Sequence, residues 1–212
     1  MKALKNVLLS SLLFTQLATL AKAQNYERLV PRRSDIFVTD MSYGGTGCPA
    51  GTVSYHYDPT GNNLKFALDE FHLATDERTL DRKFCGLSIS VHVPEGLQVS
   101  LRPKNDLRGF AALLPGSTLS VTIEDFLAGE TGSRYRADVR GPRQGFFVID
   151  QDEIRSRWSA CGEDVNARIQ ITGLLRDNNR NRTISPRFLQ ASLATLGEQN
   201  SLDYELVVRS CN

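Results

Sequence analysis

The sequence predicts an all-β fold: an antiparallel β-sandwich, jelly-roll-like, with little helix and two disulfide staples. Three observations predict it. Apolar residues recur at every second position in one short run after another. Gly, Pro, Asn and Asp interrupt those runs where the chain must turn. Four cysteines stand in a chain that opens like an exported protein, and an oxidising compartment keeps paired thiols as disulfides.

Residues 1–23 read as a cleaved secretory signal peptide. Lys2 and Lys5 precede a charge-free apolar stretch from Val7 to Leu20, and Ala21-Lys22-Ala23 supplies the small residues for cleavage after Ala23. The stretch is shorter than the ~20 residues a permanent span needs, and Ser10, Ser11, Thr15 and Gln16 interrupt it. The first cysteine is Cys48, so no lipid attachment point adjoins the cleavage site. A secreted product with no membrane span is expected, extracellular or, in a bacterium, periplasmic or at the cell surface. Removing 23 of 212 residues leaves 189, the size of one domain. The leader takes 3 of the 25 basic residues and no acidic one, leaving 22 basic against 24 acidic, a net charge of −2. That balance predicts no nucleic-acid partner.

Residues 24–42 read as an extended arm, polar at its start, with Pro31-Arg32-Arg33 as a solvated or processed dibasic site. Residues 43–212 read as a single β-sandwich domain. Val53, Tyr55 and Tyr57 alternate with polar residues up to Asp58-Pro59-Thr60-Gly61-Asn62-Asn63, and Leu64, Phe66 and Leu68 continue beyond, which predicts a hairpin. Ile89, Val91 and Val93 run into Pro94-Glu95-Gly96 and out along Leu97, Val99 and Leu101, a second predicted hairpin. Leu119, Val121 and Ile123 form another run. Gly145 to Ile149, Val165 to Leu174, and Tyr204, Leu206 and Val208 complete the set. Asp150 to Trp158 has the pattern of a turn or two of helix, while Ser185 to Leu196 fits either helix or strand.

Cys48, Cys85, Cys161 and Cys211 allow three pairings. Cys48 with Cys85 and Cys161 with Cys211 is preferred, because each bridge then ties together one half of the chain. No Cys-x2-Cys knuckle exists to hold zinc, and four paired thiols leave no cysteine nucleophile.

No constellation assigns a catalytic residue, a metal site or a cofactor. His56 and His92 fall on the polar faces of predicted strands, and His72 stands apart; local spacing gives none of them a third ligand or an acid. No Gly-x-Ser-x-Gly elbow occurs, so Gly116-Ser117-Thr118 and Gly132-Ser133-Arg134 read as turns. Asp69-Glu70, Glu124-Asp125 and Asp152-Glu153 are the acidic doublets a glycosidase would need to face across a cleft, but at strand ends they read as solvated flanks. Asp177 to Arg182 has alternating oxygen ligands without the glycine or distal glutamate of a calcium loop, and reads as a polar hairpin tip. Asn181-Arg182-Thr183 is an N-glycosylation acceptor if the source is eukaryotic. Trp158 is expected to pack as a core anchor against the neighbouring disulfide. Tyr43, Tyr55, Tyr57, Phe71 and Tyr135 would offer a ligand platform where exposed and core where not.

Four landmarks in order, Gly47-Cys48-Pro49-Ala50-Gly51, Arg82-Lys83-Phe84-Cys85, Trp158-Ser159-Ala160-Cys161-Gly162 and Arg209-Ser210-Cys211, resemble a family of secreted proteins described as domain of unknown function 4360. The resemblance spans residues 43 to 212 and takes in Val91-His92-Val93-Pro94-Glu95-Gly96 and Arg108-Gly109-Phe110. It implies an all-β secreted domain of fungi and bacteria with no established activity, and a cysteine framework. The expected function is that of a non-enzymatic domain binding a surface polymer, a carbohydrate or a protein. Its rivals are a carbohydrate-active hydrolase using a carboxylate pair, and an inhibitor or effector engaging a partner through loops such as Gly129 to Gly145.

Overall fold

The computed structural model describes residues 35–75, 79–127, 129–130, 132–151, 157–178, 189–192 and 202–211. Thirteen strands and no α-helix occur among them: β1 (Phe37–Gly44), β2 (Val53–Asp58), β3 (Asn63–Leu68), β4 (His72–Thr75), β5 (Leu80–His92), β6 (Leu97–Pro103), β7 (Leu107–Leu113), β8 (Ser117–Leu127), β9 (Ser133–Arg140), β10 (Arg143–Ile149), β11 (Val165–Asp177), β12 (Leu189–Ser192) and β13 (Leu202–Ser210). All strand pairs are antiparallel. Sheet A has the order β1-β5-β11-β8-β9, sheet B β2-β3-β13-β6 and sheet C β10-β7-β12-β4.

Sheet A forms one layer, and sheets B and C pack on its inner face, β4 against β5 and β11, β6 and β7 against β8. The alternation in the sequence dictates this arrangement. Cys85, Leu87, Ile89 and Val91 of β5, Leu119, Val121 and Ile123 of β8, and Ile169 and Ile171 of β11 all point into one core. Sheet B answers with Leu64, Phe66, Val99, Tyr204 and Leu206, sheet C with Leu73, Leu107 and Ile149. A fully buried side chain of this size contributes about 1.5–3 kcal/mol, so the core supplies most of the driving force.

The first predicted hairpin is present: β2 and β3 pair with Asp58 opposite Asn63. Its loop is fixed by the Asp58 carboxylate, which accepts the Thr60 N–H at 2.9 Å, and by Asn62 at φ 51°, a left-handed conformation asparagine tolerates. The second is not a hairpin. The turn at Pro94–Gly96 is there, with Leu97 N–H donating to the Pro94 carbonyl at 3.1 Å and Gly96 at φ 83°, but it carries the chain from sheet A to sheet B. Both flanking strands send their odd-numbered apolar residues into the same core from opposite layers, so each pairs elsewhere: β5 with β1 and β11, β6 with β13.

Other expectations shift as well. β1 starts at Phe37, so the last residues of the stretch read as an arm belong to sheet A, paired with β5. The stretch from Gly129 to Gly145 is largely strand, β9 and the start of β10, because Tyr135, Ala137 and Val139 alternate inward. β12 shows strand in the ambiguous 185–196 segment. Of the predicted helical turn, residues 152–156 lie outside the described residues, and 157–160 are not helical.

Both disulfides join the expected partners, Cys48 with Cys85 and Cys161 with Cys211. The first ties the segment before β2 to β5, deep in the core. The second anchors residues 157–164 to the end of β13. That segment runs along the second edge of β6: Ser159 N–H donates to the Val99 carbonyl at 2.8 Å, Val99 N–H to Ser159 Oγ at 3.0 Å, and Gly162 N–H to the Leu97 carbonyl at 2.9 Å. A sheet edge that would otherwise stand open is covered.

Candidate functional site

Paired residues in a sheet share a face, so the register fixes which side chains sheet A turns outward. One row holds Leu80, Arg176, Thr118 and Arg140; the next holds Arg82, Leu174, Ser120 and Asp138. Phe84, Thr172, Thr122 and Arg136 follow, then Gly86, Gln170, Glu124 and Arg134. Beyond them lie Ser88, Arg168 and Phe126, with Ser42 at the β1 edge. The result is a broad face of hydroxyl, guanidinium, amide and carboxylate groups, interrupted by Leu80, Leu174, Phe84 and Phe126.

Several of these groups are held in place by each other. Ser88 Oγ donates to Asn166 Oδ1 at 2.9 Å, and Asn166 Nδ2 lies 3.5 Å from Ser90 Oγ. Arg136 Nε reaches both oxygens of Asp138 at 3.0 Å, and Ser120 donates to the same carboxylate. Hydrogen bonds from Arg136, then Ser120, hold the Asp138 carboxyl below the usual carboxylate range. Arg134 pairs with Glu124 at 3.4 Å. The guanidiniums of Arg82, Arg140, Arg168 and Arg176 are exposed.

The inner side of the same strands carries a different polar group. Asp125 is 5% exposed, faces the core beside Tyr135, Tyr204 and Gln151, and accepts the Ser133 N–H at 3.2 Å. Its carboxyl is buried with the Tyr135 and Tyr204 hydroxyls as polar neighbours, and Gln151 Oε1 is buried without a hydrogen-bond partner. Burial is the main cause that pushes the Asp125 carboxyl up to about 6.

The residues weighed for chemistry are dispersed rather than assembled. His56 lies on sheet B, His72 on sheet C and His92 on sheet A, where its Nδ1 meets Asp164 Oδ1 at 2.8 Å. Among the described residues no three His, Cys, Asp or Glu side chains converge on a metal position. Strand alternation splits the doublet at 124–125, Glu124 outward and Asp125 inward. Asp69 and Glu70 sit on an exposed turn, and Asp152 and Glu153 lie outside the described residues. Ser117 and Ser133 are the first residues of β8 and β9, and Gly116 lies in a turn that the Ser117 N–H closes onto the Leu114 carbonyl at 3.1 Å. Asn181 and the tip of the 177–182 loop also lie outside the described residues.

Trp158 is a correction: it is half-buried, and its ring stacks under the Arg209 guanidinium at 4.1 Å, outside the core. Phe71 and Tyr135 are buried, Tyr43 and Tyr57 half-buried, and Tyr55 exposed, so the five aromatics form no common platform. An aromatic pair the sequence reading missed, Phe110 and Phe146, stacks edge-on at 5.6 Å on sheet C beside exposed Val148. On sheet B, a cleft of about 440 Å³ is lined by His56, Asp58, Asn63, Lys65, Lys104 and Asp203. No helix among the described residues is long and apolar enough to cross a membrane.

Residues 34–211 match the family model described as Domain of unknown function (DUF4360). An uncharacterized secreted protein of Arthroderma benhamiae is 26% identical over 157 residues, 69% of this chain and 64% of the relative, so the match spans under two thirds of the relative's length. Among solved structures, the enzymatically active domain of bacteriophage CBA120 tailspike protein 4 aligns at TM-score 0.24 and 13% identity, over 80% of this chain and 20% of that one. TmCBM61 in complex with β-1,4-galactotriose aligns at TM-score 0.20 and 11% identity, over 72% of this chain and 88% of that one. Neither likeness bears on what this chain does.

Proposed function

The chain belongs to the DUF4360 family, and we propose that it is a non-enzymatic binding domain whose target, an extracellular polymer, lies along the outer face of sheet A. The protein is secreted, as is its relative, and disulfide-bonded. We read residues 1–23 as its signal peptide, so that the mature chain starts at Gln24. The observation that carries the reading is the outer face itself. Four adjacent rows present hydroxyl, guanidinium, carboxylate and amide groups side by side, with Ser120, Arg136 and Asp138, and Arg134 and Glu124, held by contacts with one another. A broad sheet face suits an extended polymer better than a small molecule, which needs a concave pocket.

Depletion of the mature protein from solution by insoluble cellulose, chitin, pectate and intact microbial walls tests this. At least one polymer should remove it, and Thr122→Trp with Thr172→Trp, which put bulk in the middle of the face, should abolish removal. Gln144→Trp on sheet C should not. Failure of every polymer to deplete the protein overturns the reading. A second reading, a protein partner, is favoured by Phe146 and Val148, 57% and 49% exposed on edge strand β10. It predicts the opposite pattern, loss of capture on Phe146→Ser alone.

A further inference from the structure

We infer that the polymer is a polyanionic polysaccharide, carrying carboxylate or sulfate groups, held by Arg82, Arg140 and Arg176 at one end of the outer face of sheet A. This rests on the reading that the face binds a polymer, and it adds that polymer's chemistry.

The argument is one of charge placement. On the outward strand positions of sheet A stand six arginines, Arg82, Arg134, Arg136, Arg140, Arg168 and Arg176, against three acids, Asp40, Glu124 and Asp138. That is a net charge of 6 − 3 = +3 on a mature chain whose total is 22 − 24 = −2. Positive charge is thus concentrated on one face of a slightly acidic protein. Mutual repulsion among guanidiniums disfavours such a concentration unless an anion offsets it.

Spacing sharpens the placement. Arg176 and Arg140 share a row with Thr118 between them, two strand spacings or about 10 Å apart. Arg82 stands one row along, beside Leu174. The planar fork of each guanidinium fits a carboxylate or sulfate group bidentately. Thr118, Ser120, Thr122 and Thr172 lie among them as neutral donors and acceptors for sugar hydroxyls. Single-stranded nucleic acid would call for exposed aromatics beside the charges, whereas Phe84 and Phe126 are half-buried and exposed Phe37 stacks on His92 at 5.0 Å at the opposite end of the face from Arg140 and Arg176.

The test is retention of the mature protein on beads bearing polygalacturonate, dextran sulfate, uncharged dextran or duplex DNA. Retention is expected on one or both charged polysaccharides, the pair telling carboxylate from sulfate, and not on dextran. It should vanish between 0.01 and 1 M salt, as the screening length falls from about 30 to about 3 Å. Arg82→Gln, Arg140→Gln and Arg176→Gln should each weaken binding about tenfold. The triple Lys variant should retain more binding than the triple Gln variant, and circular dichroism melts should match the parent. If the triple Gln variant fails to fold, the single variants carry the test. Equal retention on dextran, indifference to the arginines, or stronger retention on DNA overturns the inference while leaving the polymer-binding face intact. Absence of binding to these and to the wall polymers overturns both.

Discussion

Asp125 is the one carboxylate among the buried described residues, and its ionisation is opposed by the same burial that places it opposite Ser133. The sign of its pH effect follows. Its folded value, about 6, lies above the unfolded 3.8, so the folded state holds its proton more tightly. Its contribution to stability is complete below pH about 4 and is lost as pH rises through about 6, a change of about 3 kcal/mol. Asp125→Asn removes this loss. The variant should gain up to about 3 kcal/mol over the parent at pH 7.5 and nothing near pH 4, measured by urea unfolding across that range; parallel pH profiles for the two proteins would contradict it. Gly173 makes a second local case. A Cβ there would stand 2.8 Å from Leu73 Cδ1 and 3.0 Å from Phe71 Cε1, so Gly173→Ala should cost about 1–3 kcal/mol by overpacking, read as a lowered Tm. Neither role was legible in the sequence. Glu124-Asp125 reads as a solvated pair unless the strand is known to continue through it, and Gly173 reads as a neutral place in a long apolar run.

The segment at 157–164 behaves as a strap rather than a loop, fastened at Cys161 by the bridge to Cys211 and on either side of it, at Ser159 and Gly162, by the backbone of β6. Removing that bridge with Cys161→Ala and Cys211→Ala releases a 50-residue closure, worth about 4 kcal/mol on the chain-entropy model. Amide hydrogen exchange should then rise first at Val99 and Ser159, while β5 and β11 keep their protection; uniform loss would show that the strap is not a separate unit. At this scale the sequence was informative wherever alternation was strong and the turn chemistry local, as in β2, β3, β8, β11 and β13. β9 escaped notice because every second residue from Arg134 to Arg140 is charged, and β7 because Gly109 and Ala111 give its inward face little bulk. The Pro94–Gly96 turn was visible, but its destination was not. Alternation states which residues face a core and is silent on which layer they face it from.

For the whole molecule, two layers enclose one apolar core, and the outward side of sheet A gathers arginine and hydroxyl groups. The cysteine framework was readable from export and spacing. The proposed binding face was not, because its residues come from five strands between positions 37 and 177 and meet only through register. Local motifs were the wrong place to look for it. The polar residues that mattered are those standing between the apolar ones. The outer face of sheet A is the binding surface we propose. The most direct test of that proposal is backbone amide NMR of the mature protein titrated with soluble fragments of whichever polymer depletes it. Shifts should cluster on Ser120, Thr122, Arg136, Gln170, Thr172 and Arg176. Shifts centred instead on Phe110 and Phe146 of sheet C, or on the His56 to Lys104 cleft of sheet B, would contradict it.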